Sequence, residues 1–372
     1  MIGWWELPGP SQFAAGVAED LRRGRNVVLC LPEWFPQGLQ EAVRAHLPPS
    51  AGLVWDTLEP AHASSTQPAD WIAQRYLDDR RRARVRSPRE LAVADGFESW
   101  LIWVDGVDSS QWPPWRSFLE EYEAACRQRP VHERALFCVV ARGLVALTPP
   151  KEEVALSVRL WQAQVEPLDM FFYCWTLVRE RSWPDLQRRL AAGLLSAVSA
   201  WDPLVADRLA QEPLENLLKP HAVLAEIARE REWERVESDD CALLWARGMA
   251  DCQGGRWRLH SAVLALNDPE DELRSRLWGA EVSVVLPFLE EFRRSLLERY
   301  RAAIRLPHPT PDGRLITEHH DLELQHLAWQ LARNPAVPVP TRTRLRRLAN
   351  IRNRLAHLAI LEPWELTELV SV

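Results

Sequence analysis

The sequence predicts an α/β N-terminal domain built on a parallel sheet, then an all-α middle region, then a C-terminal helical bundle. Three observations carry that expectation. Short apolar runs at 26–31 (NVVLCL), 100–104 (WLIWV) and 135–141 (ALFCVVA) alternate with helical periodicities over residues 1–180, the order of strands joined by crossover helices. Beyond residue 181 the apolar positions recur every three or four residues, as on helices that bury one face. The stretch 341–361, TRTRLRRLANIRNRLAHLAIL, puts Leu345, Leu348, Ile351, Leu355 and Leu358 on one such stripe. The expected division is 1–180, 181–268 and 269–372.

In chain order, 11–23 reads as a helix with Phe13, Val17 and Leu21 on one face and Gly24 as its stop. The strand 26–31 leads through the loop 32–38 into a helix at 39–47. A second strand is expected at 52–55 and a helix at 68–79. The strand 100–104 runs into Asp105 and Asp108, followed by a helix at 115–127, the strand 135–141 and a further strand at 154–160. Helices are expected at 168–179 and 183–200, then short ones over 203–233 broken by Pro213 and Pro220. Residues 233–260, with Gly254 and Gly255 between apolar runs, read as a hairpin or winged-helix-like unit acting as a lid. Asn267, Asp268, Pro269 and Glu270 mark a helix start. The longest helix follows over 274–304 and should kink at Pro287. After a loop at 307–313 come a helix at 322–331, a connector rich in proline (Pro335, Pro338, Pro340), the helix 341–361 and a last turn at 362–369.

Composition limits the partners. Hydrophobic residues make up 47% of the 372 residues, enough for folded cores, and the net charge of −7 argues against a general polyanion-binding coat. Any RNA contact would be local, and the arginines of 341–361 form such a patch. No run of 18 apolar residues occurs, and MIGWWELPGP lacks the basic start and apolar core of a signal peptide, so a cytoplasmic protein with no membrane partner is expected. The six cysteines contain no C-x-x-C pair. Cys241, Cys252 and His260 have irregular spacing and no evident fourth ligand, so no metal site is expected.

The succession of helix, strand, loop, helix, then an apolar strand ending in Asp105, resembles the core of AAA-type and STAND-type P-loop NTPases. The resemblance is one of arrangement over about 150 residues. At the phosphate-loop position the chain has Leu31-Pro32-Glu33-Trp34-Phe35-Pro36-Gln37-Gly38, where the family needs G-x4-G-K-[ST]. The only lysines are Lys151 and Lys219, followed by Glu152 and Pro220, so no phosphate-loop lysine exists. Glu33 would present negative charge to a triphosphate. Asp105 and Asp108 then read as turn and helix-capping acids rather than magnesium ligands. The expectation is a degenerate P-loop NTPase-like domain that does not hydrolyse nucleotide and needs no cofactor. A nucleotide-dependent switch with a rebuilt loop is the least favoured alternative.

Arg352, Asn353, Arg354, Leu355, Ala356 and His357 resemble the R-N-x-x-A-H form of the motif of HEPN domains, small all-helical modules that are often metal-independent ribonucleases. An Arg five residues before a His is expected roughly once by chance in so Arg-rich a chain. Arg127 with His132 and Arg314 with His319 share the spacing, but Pro130 interrupts the first and Asp312-Gly313 puts the second at a turn. Only the third has Asn after the Arg and lies in a periodic helix, preceded by a long and a short helix as in the HEPN bundle. The resemblance implies RNA as substrate and catalysis by Arg352, Asn353 and His357. His357 would move the proton, Arg352 would stabilise the phosphate charge, and Asn353 would orient one of them. Arg346, Arg347 and Arg354 would bind the RNA backbone, and Glu323 would orient Arg352. Because two copies of the motif usually face each other in the family, a homodimer or larger complex is implied. The joined architecture looks like that of bacterial anti-phage defence proteins. The alternative is a non-catalytic scaffold or adaptor that uses the bundle for dimerisation or partner binding.

Overall fold

The computed structural model describes residues 3–47, 53–60, 67–267, 270–310 and 313–370. Gly52, Asp268, Pro269 and Asp312, which carry parts of three expectations above, lie outside the described residues.

Five strands form a wholly parallel sheet: β1 (Asn26–Leu31), β2 (Val54–Leu58), β3 (Trp100–Val104), β4 (Leu136–Arg142) and β5 (Leu156–Leu160), in the order β2-β3-β4-β1-β5. Every residue of β1 is buried, and so are all but one of β3 and of β4. This is why these strands read as unbroken apolar runs: a parallel strand covered on both faces has no polar side. The starts of three strands are fastened by one residue. Buried Asn26 donates from Nδ2 to the Ala155 carbonyl and accepts from the Phe137 amide at 2.9 Å.

The described structure forms two compact units, 1–169 with 232–260, and 170–231 with 261–372. Residues 232–260, read in the sequence as part of a middle segment, belong with the sheet. They form the helix Cys241–Ala246 and a two-stranded antiparallel hairpin, β6 (Ala250–Gln253) and β7 (Arg256–Leu259), turning at Gly254 and Gly255, both with positive φ. Residues 170–231 belong with the C-terminal helices. The long helix Glu270–Arg299 packs against Asp185–Ser199, and the helix Val339–Ala356 packs against both Leu324–Leu331 and the long helix. The long helix runs through Pro287 without interruption and ends at Arg299, a single 3-10 turn (Arg301–Ala303) replacing its expected last residues. Among the described residues no helix is long and apolar enough to cross a membrane.

Candidate functional site

The helix that carries the motif begins after Pro338, with Pro340 in its first turn where a missing amide costs nothing. Leu345, Leu348, Ile351 and Leu355 are buried, as their spacing predicts. The stripe was expected to continue to residue 361, but the helix stops at Ala356 and His357 is its C-cap. Leu358 turns into the left-handed region at φ 61° and is 60% exposed. The Ala359 amide then donates to the Arg354 carbonyl at 3.0 Å and the Leu358 amide to the Leu355 carbonyl at 3.2 Å, the pair of bonds that closes a helix in a Schellman turn. Periodicity alone missed this end because no glycine marks it.

The motif residues therefore take separate positions. Arg352 and His357 stand about 140° apart around the axis at 100° per residue. Arg352 pairs with Glu323 at 3.0 Å, the partner expected for it, at the start of helix Leu324–Leu331. Both line a cavity of about 580 Å³ together with Glu290 and Arg293. Arg293 holds that cavity's wall, bonding Glu290 and donating to the carbonyls of His320 and Leu322 at 2.9 Å each. Asn353 Nδ2 reaches Gln325 Oε1 at 3.4 Å, not the imidazole. His357 is exposed, and no side-chain hydrogen bond or ion pair of it occurs among the described residues.

Of the three arginines expected to bind RNA, two are engaged internally. Arg354 pairs with the buried Glu365 at 3.0 Å and donates to the Ile360 carbonyl at 3.1 Å, which fastens the segment after the helix. Arg347 pairs with Glu368. Only Arg346 is exposed without an ion pair among the described residues. The segment after His357 is also held from the long helix. Glu281 accepts from the Leu361 amide at 2.8 Å and Trp278 Nε1 donates to the Leu355 carbonyl at 2.7 Å. Burial pushes the Glu281 carboxyl up to about 8.

In the sheet unit, the loop 32–38 at the carboxyl end of β1 is where an open α/β sheet would receive a ligand. Here it is filled by rings. Phe35 lies 5.0 Å from Trp161 and 5.8 Å from Trp5, and Trp5 Nε1 donates to the Gln37 carbonyl at 2.7 Å. A Cβ on Gly38 would meet Trp5 Nε1 at 2.9 Å, and Gly38 has φ 94°, so glycine serves this packing. Glu33 pairs with Arg247 at 2.8 Å. Asp105 pairs with Arg142 at 3.0 Å. Asp108 accepts from the Ser110 hydroxyl at 2.6 Å and from the amides of Gln111 and Ser110, a turn just before helix Trp112–Cys126 whose bonds, the hydroxyl's first, hold its carboxyl below the usual range. His260 is buried with its ring against Trp233, 5.2 Å away, while Cys241 and Cys252 are half-buried free thiols.

The helix expected at 322–331 is present as Leu324–Leu331, but sequence reasoning passed over its exposed indole. Its buried stripe is Leu324, Leu327, Ala328 and Leu331, and Trp329 stands off that stripe, 71% exposed. The signal was present as an indole at a position the apolar periodicity leaves to solvent. The sequence matches no protein-family model and no curated protein.

Proposed function

We propose that the chain is a metal-independent HEPN-type endoribonuclease whose catalytic site is shared between two copies, carried with a degenerate P-loop NTPase-like unit that does not hydrolyse nucleotide. The observation that carries this reading is the outward placement of the motif. His357 and Ala356 are exposed and Asn353 is half-exposed on one side of the last long helix, so these residues are not core fillers. Arg352 and His357 do not converge within one chain, which suits a half-site completed by a second copy. Cleavage would proceed by attack of the RNA 2′-hydroxyl on the adjacent phosphorus and departure of the 5′-oxygen. His357 would carry the proton at one of those oxygens and Arg352 would stabilise the charge gathering on the phosphate. Glu323 would position Arg352. The ring-filled loop after β1, with the Asp105–Arg142 pair, supports the non-hydrolysing role of the sheet unit. A bacterial anti-phage defence setting follows by analogy of architecture alone.

A second reading, a non-catalytic scaffold that pairs through the bundle, is favoured by the ion pairs that occupy Arg347, Arg352 and Arg354. The two readings separate on purified protein of matched oligomeric state, given mixed tRNA and unstructured RNA in EDTA. The nuclease reading expects cleavage by the wild type, reduced about 10²–10⁴-fold in His357→Ala and strongly reduced in Arg352→Ala. A folded wild-type dimer that leaves both RNAs intact sinks the nuclease and leaves the scaffold.

A further inference from the structure

A groove of about 1290 Å³ in the helical unit lies beside the motif helix, apart from the Arg352 cavity. Its chemistry differs from that of the cavity. Arg305, Arg333 and Arg346 line it and, among the described residues, no acidic one does, whereas Glu290, Asp321 and Glu323 line the cavity. All three arginines are exposed, and none forms an ion pair among the described residues. In a chain of net charge −7, a trough whose described lining carries three guanidinium groups and no carboxylate is a local anion track.

The groove also carries an aromatic platform. Trp329 lines it with 71% of its surface exposed, and its ring is backed by that of His308 at 5.4 Å, which in turn meets His326 at 5.2 Å. Burial and the neighbouring His326 keep His308 below the usual imidazole range, so the backing ring is neutral near pH 7. Gln330 clamps the Arg305 backbone, its Oε1 accepting from that amide at 2.8 Å and its Nε2 donating to that carbonyl at 3.2 Å. One wall is therefore fixed to the helix that bears the indole. The other wall is the motif helix. It lines the groove with Arg346 and Asn350, and Asn353 and His357 follow beyond that lining at i+7 and i+11 from Arg346, about 16 Å along the helix, the length of about five stacked nucleotides at about 3.4 Å each.

We infer that this groove is a single-stranded RNA track, in which a base stacks on Trp329, Arg305, Arg333 and Arg346 hold phosphates, and the strand runs along the motif helix toward His357. Guanidinium groups without competing carboxylates take phosphates. An exposed, backed indole takes an unpaired base, which duplex RNA does not offer. The choice of RNA over DNA rests on the nuclease reading; the track itself does not.

The test is fluorescence anisotropy of labelled 12-nucleotide single-stranded RNA, the same RNA as duplex, and single-stranded DNA. It is made in EDTA on the full-length chain in a His357→Ala background, which keeps the RNA intact. Single-stranded RNA is expected to bind more tightly than duplex, with affinity falling about tenfold or more in Trp329→Ala and much less in Trp329→Phe. Arg333→Gln and Arg346→Gln should each flatten the dependence of log affinity on log salt by about 0.7. Trp329 is exposed, so its variants should fold, and a thermal melt confirms it. Equal binding by Trp329→Ala, or preference for the duplex, overturns the track. Tighter binding of DNA overturns the assignment to RNA. Binding as expected by a protein that never cleaves would uphold the track and remove the nuclease.

Discussion

Leu358 shows how a single residue decides where the motif sits. A leucine in the left-handed region loses about 1–2 kcal/mol to the clash of Cβ with the following carbonyl, yet here it closes the helix one residue after His357. Its side chain is 60% exposed and repays little of that cost by burial within one chain. Leu358→Gly is therefore expected to raise unfolding stability by about 1 kcal/mol, read as a shift of the urea midpoint at unchanged slope. Leu358→Val, whose branched Cβ suits this conformation less, should lower it. A glycine variant that is less stable than wild type would mean that the leucine's contacts outweigh its backbone strain. The same local geometry turns His357 to the surface, where the continuous helix expected from the sequence would have placed it inside a regular turn.

At the scale of elements, the segment after the motif helix is fastened by a small network that is buried at Glu281 and Glu365 and open to solvent at Lys219. Glu281 on the long helix accepts from the Leu361 amide, Arg354 reaches Glu365, and Lys219 pairs with Glu362 at 2.6 Å. One carboxylate oxygen of Glu281 has no hydrogen-bond partner among the described residues, and burial raises its carboxyl from 4.5 to about 8. Between those values the folded state keeps a proton that the unfolded state has lost. Stability therefore falls as pH rises, by about 1.4 kcal/mol per unit, until the folded group itself ionises near 8. Glu281→Gln keeps an acceptor for Leu361 and cannot ionise. The variant should match wild type near pH 5 and be more stable by roughly several kcal/mol at pH 8.5, measured by denaturation at both pH values. An equal difference at the two pH values would show that Glu281 does not titrate in this window.

Across the whole molecule, the sheet unit is a parallel α/β sheet whose loop after β1 is filled by its own aromatic side chains. Lys151 is exposed beside Glu153 and Lys219 is paired with Glu362, and the loop 32–38 itself contains no lysine. A ligand at 100 times its Kd would stabilise the protein by about 2.7 kcal/mol. Millimolar Mg-ATP is accordingly expected to leave the melting temperature unchanged and to give a flat calorimetric titration. A clear upward shift would revive the nucleotide-dependent switch.

The sequence by itself determined the parallel sheet, because strands buried on both faces must be apolar throughout, and it determined the existence of the C-terminal helices, because one buried face imposes a period of 3.6 residues. It also excluded a phosphate-loop lysine by count, and it placed Glu323 beside Arg352 from the order of the helices. Tertiary structure decided the rest. Residues 232–260 joined the sheet and 170–231 the C-terminal helices, since packing joins segments that no local pattern links. Arg347 and Arg354 found carboxylates that lie 21 and 11 residues further along the chain, and a side chain's charge does not reveal its partner. Trp329 with Arg305, Arg333 and Arg346 came to line one groove although they lie on three separate segments. A surface is a property of the folded chain, and neither spacing nor composition encodes it.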